Sequence, residues 1–281
     1  MIIRIGFNIV CECPQPTPMV LMLNVHPTRA GDVIAGDKVI CDTVEPLRTY
    51  RDSFGNICTR VVAPPRARFV NKAIIRDTGL PDRVAVDAAE TPVIELPDDA
   101  LLYLMGSRYC ETDELSETAW KLFGATQPGW ARVQAICDFV HRHIRFGYEN
   151  ARSTRTAVDA FREGKGVCRD FAHLAIALCR AMNIPARYCT GYLGDIGVPM
   201  APFPMDFSAW FEAYLDGTWY AFDARHNTPR IGRVLMARGR DAADVPLINS
   251  FGAHTLTQFD VWTEEATAQD DGRIDGAQRV A

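Results

Sequence analysis

Apolar residues in the first hundred positions fall in short runs. Met19–Val25, Ile57–Val62 and Arg68–Ile75 are bounded by Pro, Gly and Asp clusters and read as strands. Asp52-Ser53-Phe54-Gly55-Asn56 is a turn signal between two strand candidates. The spacing predicts a β-sandwich-like module over residues 1–100. Pro97-Asp98-Asp99 then opens a helical stretch, and the period changes. Leu115–Phe123 and Gly129–Ile144 carry helical apolar spacing, with Val133, Ile136, Phe139 and Val140 on one face of the second. Two β-runs, Ala186–Leu193 and Phe207–Phe222, follow a helix that begins near Cys168. Helices first and strands after predict an α+β fold over residues 101–268 rather than a doubly wound alternation. Residues 269–281, rich in Asp, Gly, Gln and Ala, read as a disordered tail.

Composition narrows the function classes. Of 281 residues, 48% are apolar and 23% charged, enough for a sizeable core without covalent staples. The net charge of −5 and the scattered basic residues argue against a nucleic-acid partner. Nine cysteines at irregular spacing, with no C-x-x-C pair, argue against a disulfide framework and against a zinc site. The run Met1–Phe7 is too short for a signal peptide, and no stretch reaches the roughly 20 apolar residues that span a bilayer. The expectation is a cytoplasmic protein with no membrane partner, no cofactor and no metal.

One cysteine stands apart. In Gly164-Lys165-Gly166-Val167-Cys168-Arg169-Asp170-Phe171-Ala172-His173-Leu174, a glycine-containing turn precedes a long apolar run. Phe171, Leu174, Ala175 and Leu178 form one helical stripe, and Ala172, Ile176 and Cys179 fill the neighbouring face, so the helix is a buried one. Asn183-Ile184-Pro185 ends it. Cys168 therefore occupies the first turn, where free N–H groups and the dipole favour thiolate and can receive an oxyanion. A packing role, like that of the other cysteines, is the alternative.

A cysteine nucleophile needs a base and a group to orient that base. Phe207–Asp223 reads as a hairpin around Asp216-Gly217, with Leu215 opposite Thr218. Position 208 then shares a face with Trp210, Glu212 and Asp223, and lies roughly 7–8 Å from Asp223 on the diagonal.

The pieces G-V-C-R-D-F-A-H, I-P-A-R-Y-C-T-G-Y-L and A-W-F-E-A-Y-L-D-G-T-W-Y-A-F-D resemble the core of the bacterial transglutaminase-like superfamily. The resemblance implies a papain-like catalytic domain behind a β module, and a Cys-His-Asp triad. It implies acyl transfer from peptide or side-chain amides through a thioester, to water or to an amine. Cys168 and Asp223 match their positions, but Ser208 stands where the family has its histidine. Serine is far too weak a base near neutrality, so the chain is expected to be impaired. Either it is an altered form of an active enzyme, or it is a pseudoenzyme that binds peptide segments in a retained cleft.

Other side chains have blander readings. His226 would point to the opposite face of a regular strand, although a bulge or strand end there would bring it back. His173 sits about 140° around the helix from Cys168. His141 and His143 read as surface or packing residues, and His254 falls in a loop. Glu212 reads as an ion-pair partner for Arg169 or Arg225, Trp210 and Trp219 as core or cleft wall, and Asp170 as support for the first helical turn.

Overall fold

A computed structural model describes residues 1–43 and 46–266, so the expected tail at 269–281 lies outside the described residues. The first half is a sandwich of two antiparallel sheets. Its strands are β1 (Ile2–Glu12), β2 (Thr17–Leu21), β3 (Val33–Gly36), β4 (Ile40–Cys41), β5 (Arg48–Arg51), β6 (Ile57–Ala63) and β7 (Arg66–Arg76). The predicted turn at Asp52–Asn56 joins β5 to β6. Alternation decides the faces: Ala67, Phe69, Asn71, Ala73 and Ile75 of β7 point inward, and the intervening Arg and Lys point out. Ile3, Ile5, Phe7 and Ile9 of β1 meet Met19, Leu21, Val61 and Ala63 across the gap. Each such fully buried side chain contributes about 1.5–3 kcal/mol.

Two strands from the far end of the chain complete these sheets. β15 (Thr255–Glu265) pairs antiparallel with β1 from Ile3↔Glu265 to Glu12↔Thr255, and β14 (Ile248–Ser250) pairs with β2. Residues 248–250 and 255–265, within the range expected for the α+β domain, thus lie in the sandwich sheets. Local pattern reveals that a segment is a strand, but not which distant edge it covers. Gly6 lies opposite Trp262, and a Cβ there would stand 2.2 Å from the indole, so the glycine lets that ring lie across β1.

The middle of the chain is α+β, as the order of helices and strands predicts. The helices are α1 (Asp98–Leu101), α2 (Thr112–Phe123), α3 (Trp130–His143), α4 (Ala157–Glu163) and α5 (Cys168–Ala181). A short parallel pair, β8 (Arg145–Phe146) and β9 (Lys165–Gly166), flanks α4. The sheet runs β12 (Thr218–Phe222), β11 (Ser208–Leu215), β10 (Ala186–Tyr192), β13 (Val234–Gly239). Helix α5 packs its apolar flank on Ala209, Phe211, Ala213, Leu215, Tyr220 and Phe222 of that sheet, and α2, α3 and α4 cover the helix. Its expected stripe (Phe171, Leu174, Ala175, Leu178) is buried, as is the neighbouring face. The two halves share apolar core, since Tyr192, Phe207, Val234 and Met236 pack among the sandwich residues. No described helix is long and apolar enough to cross a membrane.

Residues 1–100 expressed alone are expected to remain unfolded, because β1 and β2 each lose a partner strand. Far-ultraviolet circular dichroism during a thermal ramp checks this; a cooperative melt of that fragment would contradict it.

Candidate active site

Helix α4 sets the approach to Cys168. Thr156 and Asp159 cap its start reciprocally, and Gly164 ends it with φ 59°. The chain then runs through β9 to α5. Asp170 folds back over Gly166, where a Cβ would lie 2.6 Å from its side chain, and accepts the Val167 N–H at 2.8 Å. Arg155 pairs with the same carboxylate at 3.2 Å, so the expected support of the first turn comes from a wholly buried ion pair. The N–H groups of Asp170 and Phe171 turn to the Val167 carbonyl, which leaves those of Cys168 and Arg169 at the open end of the helix.

Cys168 is partly buried, and its thiol receives the backbone N–H of Ala209, the residue after Ser208. Burial pushes the thiol up to about 11; the Arg225 cation and the Ala209 N–H pull it down, and Asp206 and Asp223 push it up. The thiolate expected from the helix terminus alone is therefore opposed by desolvation. Asp206, itself raised by burial, bonds only the N–H of Phe207 among the described contacts. The Arg225 guanidinium lies 3.8 Å over the Phe146 ring and bonds Tyr148.

The hairpin has the expected register. Leu215 pairs with Thr218 and Phe211 with Phe222, which sets Asp223 across from Trp210, just past the end of β12. Ser208 begins β11 opposite Gly191, is 6% exposed, and its carbonyl accepts the Thr190 hydroxyl at 3.1 Å. Its side chain lines a small cavity of about 50 Å³ with Tyr148, Asp206, Arg225, His226 and Arg230. A separate cavity of about 320 Å³ is lined by Asp223 together with Trp130, Cys137 and Phe222.

Asp223 is 7% exposed and fully bonded. Its Oδ1 accepts the backbone N–H groups of Arg225 and His226, each at 3.0 Å. Its Oδ2 accepts from His226 Nδ1 at 2.8 Å and from Arg233 at 3.0 Å. Burial alone would raise this carboxyl, but the Arg233 guanidinium and the His226 donors outweigh it and hold it well below the usual carboxylate range. Arg233 in turn bonds Asp82 at 2.8 Å and stacks over Trp210.

His226 departs from the regular-strand expectation. The strand ends at Phe222 and the chain turns, with Asn227 at φ 52° and its N–H on the Asp223 carbonyl. Helix α3 holds this turn: His141 Nδ1 bonds the Arg225 carbonyl at 2.9 Å, and Gln134 and Asp138 bond the Asn227 side chain. His141, read in sequence as a surface or packing residue, is thus a support of the site. His173 accepts the Ala242 N–H and stacks on Tyr109, His143 bonds the Phe161 carbonyl, and His254 is exposed. Glu212 pairs with Arg187, its direct neighbour across β10 and β11, at 2.6 Å, not with Arg169 or Arg225. Trp219 lies under the Arg187 guanidinium at 4.0 Å, and Trp210 packs on Cys189 and Leu235.

Removing the negative charge at position 206 is expected to lower the Cys168 thiol from about 11, and removing the cation at 225 to raise it further. At pH 9 Asp206→Asn should therefore alkylate faster with iodoacetamide than the unaltered chain, and Arg225→Gln more slowly. Peptide-resolved mass spectrometry reads both rates, and the reverse order would contradict the assignment.

The core pattern of the transglutaminase-like superfamily matches residues 117–224, which span α2 to the turn after β12. A protein of known structure from Cytophaga hutchinsonii, named as a candidate cysteine protease, is 30% identical, and the similarity covers 95% of this chain and 91% of that one at a TM-score of 0.80. An uncharacterised protein of Mycobacterium leprae is 32% identical over 113 residues, 39% of this chain and 40% of that protein. One from Mycobacterium tuberculosis is 31% identical over 147 residues, 48% of this chain and 46% of that protein. The chain spans less than half the length of these curated relatives. With a relative matched along nearly its whole length, and its helix–hairpin core matched by the family pattern, this chain belongs to the transglutaminase-like superfamily.

Proposed function

We propose that this protein performs cysteine-dependent acyl transfer on peptide or side-chain amides, through a thioester on Cys168. The observation that carries the reading is the convergence at the start of α5. The Cys168 thiol meets the Ala209 N–H, first-turn amides remain open for an oxyanion, and a fully ionised Asp223 stands at the end of the adjoining hairpin. The likeness to the Cytophaga hutchinsonii protein supports peptide amides as the substrate class. With water as acceptor the outcome is hydrolysis, and with an amine it is transamidation.

Ser208 leaves β11 without an imidazole, so no acceptor for the Cys168 proton sits on that strand. A group off that strand must then take the proton. A second reading, a peptide-binding pseudoenzyme, draws on the same serine and on a thiol pushed up to about 11.

Turnover of peptide amides, and of glutamine-donor and amine-acceptor pairs, separates the two readings. Cys168→Ala is expected to abolish thiol-dependent turnover. Ser208→His is expected to retain it. Peptide binding with no turnover, in the unaltered chain and in the Ser208→His variant alike, would favour the pseudoenzyme.

A further inference from the structure

We propose that His226, oriented by Asp223, is the base that accepts the proton of Cys168 in this chain. The inference rests on the reading of Cys168 as nucleophile and adds the group that activates it.

A carboxylate only accepts hydrogen bonds, so the 2.8 Å contact between Asp223 Oδ2 and His226 is made by a protonated Nδ1. The neutral ring then carries its lone pair on Nε2. Asp223 thus fixes the tautomer of this imidazole, as an orienting acid must. The ring comes from three residues beyond the acid, instead of from the facing strand.

The turn that presents it is built, not incidental. Asp223 Oδ1 caps the N–H groups of Arg225 and His226, and Asn227 closes the turn on the Asp223 carbonyl at 2.7 Å. His141, Gln134 and Asp138 hold it from α3. The imidazole lines the cavity that also receives Ser208, Asp206 and Arg225. Cys168 packs against the cluster that holds Ala209, the neighbour of the lining residue Ser208, and its thiol takes the Ala209 N–H and feels the charges of the lining residues Arg225 and Asp206. A second imidazole at 208 would compete for Asp223 Oδ2, whose two donors are already His226 and Arg233. A small residue at 208 and a histidine at 226 are therefore one arrangement.

The step balances without a co-reactant. The Cys168 proton passes to His226 Nε2, and the thiolate forms a C–S bond as the carbonyl π pair moves to oxygen. Collapse breaks the C–N bond, and the leaving amine takes the proton back from the imidazolium. Water or an acceptor amine then cleaves the thioester by the same route.

The test needs no known substrate. Iodoacetamide labelling of Cys168 in the full chain is followed from pH 6 to 10 by peptide-resolved mass spectrometry, with folding checked by circular dichroism. The groups that face the thiol are Asp206, Arg225, Tyr148 and Tyr188, and those around His226 are Asp223, Arg230 and, through Asp223, Arg233. The unaltered chain is expected to show a limb of reactivity near neutrality, at least tenfold above that of His226→Gln at pH 7. Adding Ser208→His to the folded His226→Gln variant should restore the limb, which a histidine that only braced the turn would not allow. The proposal is overturned if His226→Gln keeps the neutral limb. It is equally overturned if the double variant folds without regaining the limb, or if Asp206→Asn loses it while His226→Gln retains it. Failure of the underlying reading looks different: Cys168 of the unaltered chain would then label only as pH approaches 11.

Discussion

A buried carboxylate, Asp223, organises the region around the candidate site. Four donors converge on it, and the strongest, Arg233, is itself buried and bonded to Asp82 on the far side. Neither charge is stable there alone: breaking such a pair by removing one partner costs about 3–5 kcal/mol, because the other charge stays buried and uncompensated. The network therefore couples three segments. Asp82 belongs to the strap that leaves the sandwich, and also accepts the Arg230 N–H at 2.8 Å. Arg233 leads into β13, and Asp223 caps the turn that carries His226. Asp223 keeps its charge well below the usual carboxylate range, so its hold on the turn is present above the ordinary carboxylate pKa and is lost only at strongly acid pH.

That coupling explains why sandwich and α+β half are not independent. The strap leaves the end of β7 and bonds Arg230 and Arg233 through Asp82, and the chain later returns to the sandwich as β14 and β15. Phe207, one residue before the hairpin, packs edge-on against both Phe7 and Phe259. The segment that delivers Ser208 and Asp206 to the site is thus anchored in the core of the first half.

Much of this was legible in the residues. The alternation in β7, the apolar stripes of α5, the Asp216-Gly217 turn and its register all follow from local period and turn chemistry, and each appears as predicted. What local period does not encode is pairing across long sequence separation. β15 is an ordinary strand until β1 offers an edge. Glu212 looked available to several cations until β10 placed Arg187 beside it. His226 was legible only conditionally, for a related reason: a regular strand past Asp223 turns it away and a strand end brings it back, and the carboxylate caps its own following amides and ends the strand. An Asp followed three residues later by His, at the end of a strand, was the available signal.

The Cys168 thiol shows the balance that any mechanism here must meet. Helix-terminal amides and the Arg225 cation favour thiolate, while burial and two nearby carboxylates oppose it, and the opposition prevails in the resting protein. A proton acceptor close by is what turns such a thiol into a nucleophile. The central claim is the acyl-thioester, and trapping it is the most direct measurement. The protein would be incubated at neutral pH with an activated p-nitrophenyl acyl ester, quenched in acid, and digested for mass spectrometry. The account predicts one acyl group per chain, carried by the peptide containing Cys168 and released by hydroxylamine. Acylation of another cysteine with Cys168 unmodified, or no acylation while the ester is hydrolysed, would contradict it.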